Sequence, residues 1–214
     1  MLRRVSIALT AVAVCAAPLS AETAMEMLQQ ALRVTQAVED YTAQVQVTVD
    51  APELQIPRRT VKVYYKRPDK VHVESDGIAV LPRDALLMGN LAEHIDQFAQ
   101  ASFNGSGTIG ERPVRCIKLS PLEPGRGSGR VLAWIDPERH LLRKSEVWRG
   151  GRAALTVRLE WTRVDDRWWL PRHIVTTLAP GALTGKDEGG RLELWFSNYR
   201  VNQGLPDSLF TEGG

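Results

Sequence analysis

Cysteine is nearly absent from this chain of 214 residues. Its two cysteines are Cys15, in an apolar N-terminal segment, and Cys116. If that segment is removed, the remaining thiol can form no internal disulfide and cannot complete a structural zinc site, which takes four cysteine or histidine ligands. The four histidines lie far apart in the sequence and share no ligand spacing. We therefore expect no metal site and no cofactor.

Long apolar runs are also lacking, apart from a short one at the N terminus. Two arginines precede an apolar run over residues 5–17, and small residues follow up to Ala21. The run is shorter than the roughly 20 apolar residues of a membrane-spanning helix. This order predicts a secretion signal over residues 1–21 that is cleaved near Ala21. It predicts a protein exported to the periplasm.

Two other interpretations of the N terminus fit less well. Arg3 and Arg4 could belong to a twin-arginine signal, but Ser6 stands where a bulky apolar residue is usual. Cys15 could carry a lipid, but Val14 precedes it where a small residue is needed.

The mature chain has no excess of charge of either sign. The 27 Lys and Arg, less the two in the signal, leave 25 basic residues, which equals the 25 Asp and Glu. A nucleic-acid-binding protein usually carries a clear positive excess. We therefore expect no nucleic acid partner.

No catalytic motif stands out. The glycines of residues 105–110 match a dinucleotide-binding loop, but that loop must follow a strand and open a helix. Here a predicted helix precedes and a strand follows, so we expect a hairpin loop. Ser106 and Ser128 lack the glycine spacing of a nucleophile elbow. Cys116 lies in an alternating strand and is expected to be a buried, inert thiol. The chain is therefore not expected to be an enzyme.

The N-terminal half of the mature chain predicts a helix followed by strands. Thr23 and Glu26 have the spacing of a capping box, and apolar residues recur at helical spacing over residues 24–39. Residues 41–50 then alternate strictly between apolar and polar, which predicts a strand with one wet face. Further strands are predicted at residues 60–66 and 71–75.

The C-terminal half is predicted to be almost entirely strand. Turn residues separate six segments, at 112–119, 130–136, 141–149, 152–164, 167–178 and 190–200. Consecutive strands with hairpin-length connections indicate an antiparallel meander. Several of these strands are apolar on both faces, so both faces of the sheet must be partly covered.

One stretch interrupts the strand pattern, because apolar residues between 82 and 100 recur at helical spacing. We expect one or two helices there, packed on a strongly curved sheet with an apolar cavity between the layers. The expected fold class is mainly β with helices. The residues predicted to line the cavity are Leu87, Leu91, Ile95, Phe98, Trp134 and Trp195.

Several short motifs occur in an order that resembles a known family. They are Tyr-Tyr-Lys-Arg-Pro-Asp-Lys-Val-His-Val-Glu at residues 64–74, Trp-Ile-Asp at 134–136, Phe-Ser-Asn-Tyr-Arg-Val-Asn at 196–202 and Asp-Ser-Leu-Phe at 207–210. The ordered set resembles the LolA-like outer-membrane lipoprotein-sorting proteins. The match is closer to the wider sorting-protein-like group than to LolA itself, since residues 78–82 lead into a predicted helix rather than an apolar strand.

The resemblance implies a single domain over residues 22–214. It implies a curved antiparallel half-barrel, with helices as a lid over its concave apolar face. In LolA the cavity holds lipoprotein acyl chains during transit across the periplasm. A function-linked arginine in the Lys-Arg-Pro turn helps to hold the lid closed, and Arg67 matches it. We expect Arg67 to grip the segment around residues 82–104; the alternative is that it only ends a strand.

The implied function is a non-enzymatic periplasmic binder or carrier of lipid or lipoprotein acyl chains, acting as a monomer. A membrane-associated delivery partner is implied as well. Two alternatives stay open at this point. One is a lipid-sensing regulatory protein resembling RseB, and the other is an exported enzyme whose catalytic residues are dispersed in the sequence.

Overall fold

The computed structural model describes residues 22–51, 54–74, 98–121, 129–181 and 189–211. The predicted secretion signal and the predicted cavity residues Leu87, Leu91 and Ile95 lie outside these ranges. The backbone of Phe98 is described, but its side chain is not.

One α-helix and ten strands make up most of the described chain. The helix, α1, spans Ala24–Gln36. The strands are β1 (Asp40–Ala51), β2 (Leu54–Lys66), β3 (Lys70–Glu74), β4 (Phe98–Ile109), β5 (Arg112–Pro121), β6 (Arg130–Asp136), β7 (Leu141–Arg149), β8 (Arg152–Val164), β9 (Trp168–Leu178) and β10 (Gly190–Val201). A short 3-10 helix follows at Asp207–Phe210.

All ten strands form one antiparallel sheet, which is curved and does not close. Its order is β3-β2-β1-β10-β9-β8-β7-β6-β5-β4, so β10 returns to pair with β1. Every other neighbouring pair in this order is consecutive along the chain, as hairpin-length connections predict. The predicted fold class, mainly β with a curved antiparallel sheet and helices covering one face, is confirmed, with one helix, α1, covering that face in the described ranges.

The hairpin turns have the residues that their backbones need. Asp165 and Asp166, between β8 and β9, both have positive φ angles of 51° and 50°. Gly150 and Gly151, between β7 and β8, have φ angles of 55° and 80°. Two successive residues with positive φ match the twist of the flanking strands, and Asp and Gly tolerate that conformation best.

Helix α1 begins at the predicted capping box. The Thr23 hydroxyl accepts a hydrogen bond from the Glu26 amide at 3.2 Å, and the Glu26 carboxylate accepts one from the Thr23 amide at 2.8 Å. The helix ends at Gln36, three residues before the predicted end. Within the described ranges, no helix has the length and apolar character needed to cross a membrane.

The prediction was wrong over residues 98–110. We expected helix up to residue 100 and a glycine loop from 105 to 110, but residues 98–109 form β4. The strand pairs with β5 through a turn at Gly110, and a bulge between Phe103 and Ser106 contains Gly105, whose φ is 99°. The sequence of this strand shows no alternation of apolar and polar residues, because glycine and serine side chains contribute little hydrophobicity.

Candidate functional site

One face of the sheet is apolar almost from edge to edge. We call it the inner face, because α1 packs on it, and we call the opposite face the outer face. The hydrophobic core joins α1 to inner-face side chains of eight strands, from Val61 on β2 to Ile117 on β5. Partly buried side chains on β3 and β4, namely Val71, Val73 and Ala101, extend it to both edge strands.

The strand register shows how continuous this face is. Directly paired residues of antiparallel strands share a face. Following the pairs across the sheet gives one inner-face row, with one residue from each of eight strands: Phe103, Ile117, Ala133, Ser145, Val157, Thr176, Leu192 and Val49. The row contains no charged side chain.

Helix α1 covers part of the inner face. Its buried residues are Ala24, Met27, Leu28 and Ala31, which recur at three- and four-residue spacing and so form one stripe. The helix packs mainly against β4, β6, β7 and β9. A single amphipathic helix therefore lies across the meander with its apolar stripe on the sheet.

Arg67 connects the end of α1 to the turn between β2 and β3. Its guanidinium donates a hydrogen bond to the main-chain carbonyl of Gln36, the last residue of α1. Its main-chain amide donates to the Glu39 carbonyl at 2.9 Å. The last carbonyls of a helix have no partner within the helix and carry partial negative charge, so a cation is favourable there.

The predicted recipient of Arg67 was the segment around residues 82–104. In the described part of the chain the recipient is instead α1, and residues 82–97 lie outside the described ranges. Sequence spacing could not indicate this contact, because it depends on α1 crossing the sheet as far as the β2–β3 turn. The role of Arg67 in ligand retention stays a prediction.

The segment after β10 fixes the end of the sheet next to Arg67. Asp40 is only 3% exposed, and its carboxylate accepts hydrogen bonds from the amides of Gln203, Gly204 and Leu205 at 2.7 to 3.1 Å. Lys66, the residue before Arg67, donates to the Leu205 carbonyl at 2.7 Å. Arg67 is therefore presented from a turn whose neighbours are tied to the C-terminal segment.

Asp207 strengthens the same attachment. Its carboxylate lies 2.7 Å from the Lys66 ammonium and 2.9 Å from the Lys70 ammonium. These two hydrogen-bonded cations lower the pKa of Asp207 to about 2. The motif Asp-Ser-Leu-Phe thus begins with a residue that holds the C-terminal segment against the β2–β3 turn.

Two predicted cavity residues lie on the wrong face. Trp134 is paired with Cys116 and Lys144, and it faces away from its neighbours Ala133 and Ile135, which belong to the core. Trp195 likewise alternates with the core residues Leu194 and Phe196. Both tryptophans are on the outer face, so they do not line the apolar face beneath α1. Alternation shows that a strand has two faces, but not which of them the helix covers.

Trp134 and Trp195, on the outer face, contact polar side chains. The Lys144 ammonium lies 4.2 Å from the centre of the Trp134 ring. Trp195 stacks on His173 with ring centres 3.6 Å apart, and His173 Nε2 lies 2.7 Å from a Glu193 oxygen. Cation–π contact and aromatic stacking stabilise large rings at a wet surface. These contacts account for the positions of Trp134 and Trp195 on the outer face without a ligand.

Phe103 is an inner-face residue that the sequence analysis missed. It is 38% exposed although its direct partner, Ile117, is fully buried. The Arg115 guanidinium lies 4.1 Å from the centre of its ring. An exposed phenylalanine on edge strand β4 therefore forms a rim of the apolar face. Phe103 lies between the predicted helix, which ends at residue 100, and the predicted loop, which begins at residue 105, so the sequence did not indicate its position on a strand.

Cys116, the one residue of catalytic type in the predicted strands that the sequence singled out, is buried in the structure. It lies on the outer face, and burial is the main cause that raises the pKa of its thiol. Such a thiol is a poor nucleophile, as expected. The described residues contain no cluster of three or more His, Cys, Asp or Glu side chains that could hold a metal ion.

Two open grooves lie over β1, β2 and their neighbours. One, of about 570 Å³, extends to β3, and the other, of about 670 Å³, extends to β10 and the C-terminal segment. They share Gln44 and Lys62, and most of their lining residues are polar or charged. Neither groove suits an extended hydrocarbon chain as well as the inner face does.

Comparison with known proteins supports the fold and gives no match by sequence. No known family's sequence model matches the chain, and no curated protein matches it. Among solved structures, a domain described as that of an outer-membrane lipoprotein-sorting protein from Vibrio parahaemolyticus superposes with a TM-score of 0.60. It is 13% identical, over 88% of this chain and 96% of that one.

Two further structures superpose over similar lengths. A LolA superfamily protein from Nitrosomonas europaea has a TM-score of 0.55 at 16% identity, over 90% of this chain and 99% of that one. A DUF1329 family protein from Desulfovibrio piger has a TM-score of 0.59 at 13% identity, over 89% and 98%. The chain therefore has the LolA-like fold that its motifs indicated.

Proposed function

We propose that this protein binds lipid acyl chains against the inner face of its sheet, as a non-enzymatic carrier in the bacterial cell envelope. The predicted secretion signal supports a periplasmic location. The proposed cargo is a lipid or the acyl chains of a lipoprotein, received from or delivered to a membrane-associated partner. A single domain that acts as a monomer would suffice.

The observation that carries the proposal is the extent of the inner face. Its row of side chains runs from Phe103 to Val49 without a charge, across eight strands. Neighbouring strands are about 4.8 Å apart, so the row is roughly 34 Å long. A hydrophobic core alone does not require an uncharged row of this length. An extended hydrocarbon chain does need a long, uncharged surface to bind against.

The edges of the inner face also support entry of a ligand. The sheet does not close, so within the described ranges the apolar face ends at the edge strands β3 and β4. At β4 the exposed ring of Phe103 continues the apolar surface outward. At the opposite side, α1 is tied to the sheet end through the Arg67 contact with Gln36, which is exposed on the surface.

A matched pair of variants tests the site. Phe103 and Trp195 are exposed to nearly the same extent, 38% and 37%, but lie on opposite faces of the sheet. We expect the full protein to bind an environment-sensitive apolar dye saturably, and a long-chain acyl lipid to displace it. Phe103→Ser should weaken dye binding several-fold, since about 25 cal/mol is lost per Å² of apolar contact. Trp195→Ser should leave binding unchanged at matched stability.

Two results would contradict the proposed binding site. No saturable dye binding, or binding that Trp195→Ser weakens as much as Phe103→Ser, would contradict an inner-face site. If ligand binds as proposed, it should also raise the free energy of unfolding by about 2.7 kcal/mol at a hundredfold excess over Kd, and the melting temperature should rise accordingly.

A further inference from the structure

The hydroxyl of Thr176 is a polar group in the middle of the inner face that has no hydrogen-bond partner among the described residues. Thr176 is 3% exposed, and its Oγ1 atom is buried without a hydrogen bond. Its direct partners in the sheet are Val157 on β8 and Leu192 on β10, and both belong to or pack on the hydrophobic core. The side chain therefore projects into the apolar layer between the sheet and its cover.

An unpaired hydroxyl in this position is unfavourable for folding alone. A buried polar group without a partner loses its hydrogen bonds to water and gains none in return. Valine has almost the shape of threonine and equal preference for strands, so it would fill the position without this cost. The threonine therefore indicates a hydrogen-bond acceptor that the described part of the chain does not supply.

We infer that Thr176 donates a hydrogen bond to the carbonyl oxygen of an acyl group bound on the inner face. This inference rests on the proposed function, and it adds the part of the lipid that is recognised. The acceptor must be neutral, because the inner-face row around Thr176 has no cation to pair with a phosphate or carboxylate. An ester- or amide-linked acyl carbonyl is neutral, whereas an alkyl ether has no carbonyl.

The position of Thr176 also orients the hydrocarbon tail. From β9 the row continues over β8, β7, β6 and β5 to Phe103 on β4. Five strand spacings of about 4.8 Å give roughly 24 Å of apolar surface between the hydroxyl and the exposed phenylalanine. An acyl chain anchored by its carbonyl at Thr176 would lie along this row, with its end toward the β4 edge.

Two lipids that differ only in the carbonyl test the inference on the full protein. The probes are palmitoylglycerol, which has an ester, and hexadecylglycerol, its ether analogue, each measured by displacement of an apolar dye. Wild type should bind the ester about five-fold more tightly, the worth of one net hydrogen bond. Thr176→Val should lose this preference by weakening only the ester, and it should melt at the same temperature or higher.

Three further variants accompany Thr176→Val in the test. Thr177→Val, at the exposed neighbouring position on the outer face, should keep the preference for the ester. Thr176→Ser should also keep the preference for the ester. If the valine variant folds poorly, Thr176→Ala provides a second variant that lacks the hydroxyl. An ester preference that survives loss of the hydroxyl, or an equal weakening of both lipids, would overturn the role of Thr176 and leave the proposed function standing. If neither lipid displaces the dye from wild type, the proposed function and the inference both fail.

Discussion

Arg67 is the residue at which the β2–β3 turn meets the end of α1. Its contact with the Gln36 carbonyl is on the surface, so it contributes little to folding, about 1 kcal/mol at most by the usual worth of a cation at a helix C terminus. It nevertheless holds the cover of the inner face at one end. Its main effect should therefore be on how long a ligand stays bound.

We predict that Arg67→Leu folds normally and releases an apolar dye several-fold faster than wild type. Lysine at this position should restore retention only in part, because its compact charge lacks the planar fork of arginine. Arg33→Leu is the control, since Arg33 is an exposed cation in the last turn of the same helix. Stopped-flow dilution measures the off-rates. Equal off-rates for wild type and Arg67→Leu would reduce Arg67 to a turn residue.

Asp136 is the buried charge of the β6–β7 turn. Its side chain is 1% exposed and accepts hydrogen bonds from Arg112 at 2.9 Å and from the amides of Glu138 and Arg139. Burial acts to raise its pKa, but the Arg112 hydrogen bond and the two amides outweigh burial, so the pKa lies below its usual value. The ionised carboxylate thus stabilises the fold.

The pKa shift predicts an acid-sensitive contribution to stability. It is complete above the unfolded-state pKa of about 3.9 and is lost as the pH falls through the lower folded-state value. Asp136→Asn should lower the free energy of unfolding by about 1–3 kcal/mol at neutral pH, and this difference should shrink below about pH 4. Asp166→Asn, in an exposed turn, should show neither effect. Urea unfolding at a series of pH values measures the difference in free energy of unfolding between wild type and Asp136→Asn. A difference that stays constant as the pH falls below about 4 would contradict the role of the Asp136 carboxylate.

Single residues differed in how well the sequence predicted them. Arg67 was found because the Lys-Arg-Pro turn is a local motif, whereas its partner at Gln36 is distant in sequence. Trp134 and Trp195 were assigned to the wrong face because alternation is symmetric between the two faces. Thr176 gave no signal, because a threonine among apolar neighbours has the same pattern as any β-branched strand residue.

Helix α1 is the element that the sequence defined best. Its capping box and apolar stripe are both local features, and both are present in the structure. Its C-terminal end was placed three residues too late because helix ends depend on tertiary contacts, here the attachment of Gln36 to Arg67.

We predict that Thr23→Ala lowers the free energy of unfolding by about 1 kcal/mol, because α1 loses its N-terminal cap. Thr23→Ser keeps the hydroxyl and should cost much less. Loosening the N-terminal end of α1 should also speed dye release, additively with Arg67→Leu at the other end. Urea unfolding and off-rates of the two single variants and the double variant provide the measurement. Thr23→Ala with wild-type stability and wild-type release would show that the cap does not hold the cover.

Strand β4 is the element that could not be predicted from the sequence. Small residues such as Gly105 and Gly107 remove the apolar alternation, and an edge strand has only one neighbour to define its register. The remaining strands were predicted because turn pairs such as Asp165-Asp166 mark their ends. Strand order could not be derived from hairpins alone, since the pairing of β1 with β10 joins residues that are far apart in the chain.

At the scale of the whole molecule, one open sheet combines a long uncharged inner face with a helix that covers part of it. In the described ranges β3 and β4 are the edge strands, and the C-terminal segment secures the end of the sheet at Asp40 and Lys66. The hydrophobic core joins α1 to the sheet, and Arg67 attaches the last turn of α1 to the β2–β3 turn. The proposed carrier function requires that α1 move away from the sheet when cargo binds or leaves.

Photo-crosslinking in cells tests the central claim most directly. A photoreactive phenylalanine analogue replaces Phe103 on the inner face or, as the control, Trp195 on the outer face of the full chain. After irradiation of living cells, the intact mass of the purified protein reports both removal of residues 1–21 and any adduct. We predict an acyl-lipid or lipoprotein adduct at position 103 and none at position 195. No adduct at position 103, or equal adducts at both positions, would contradict a lipid site on the inner face.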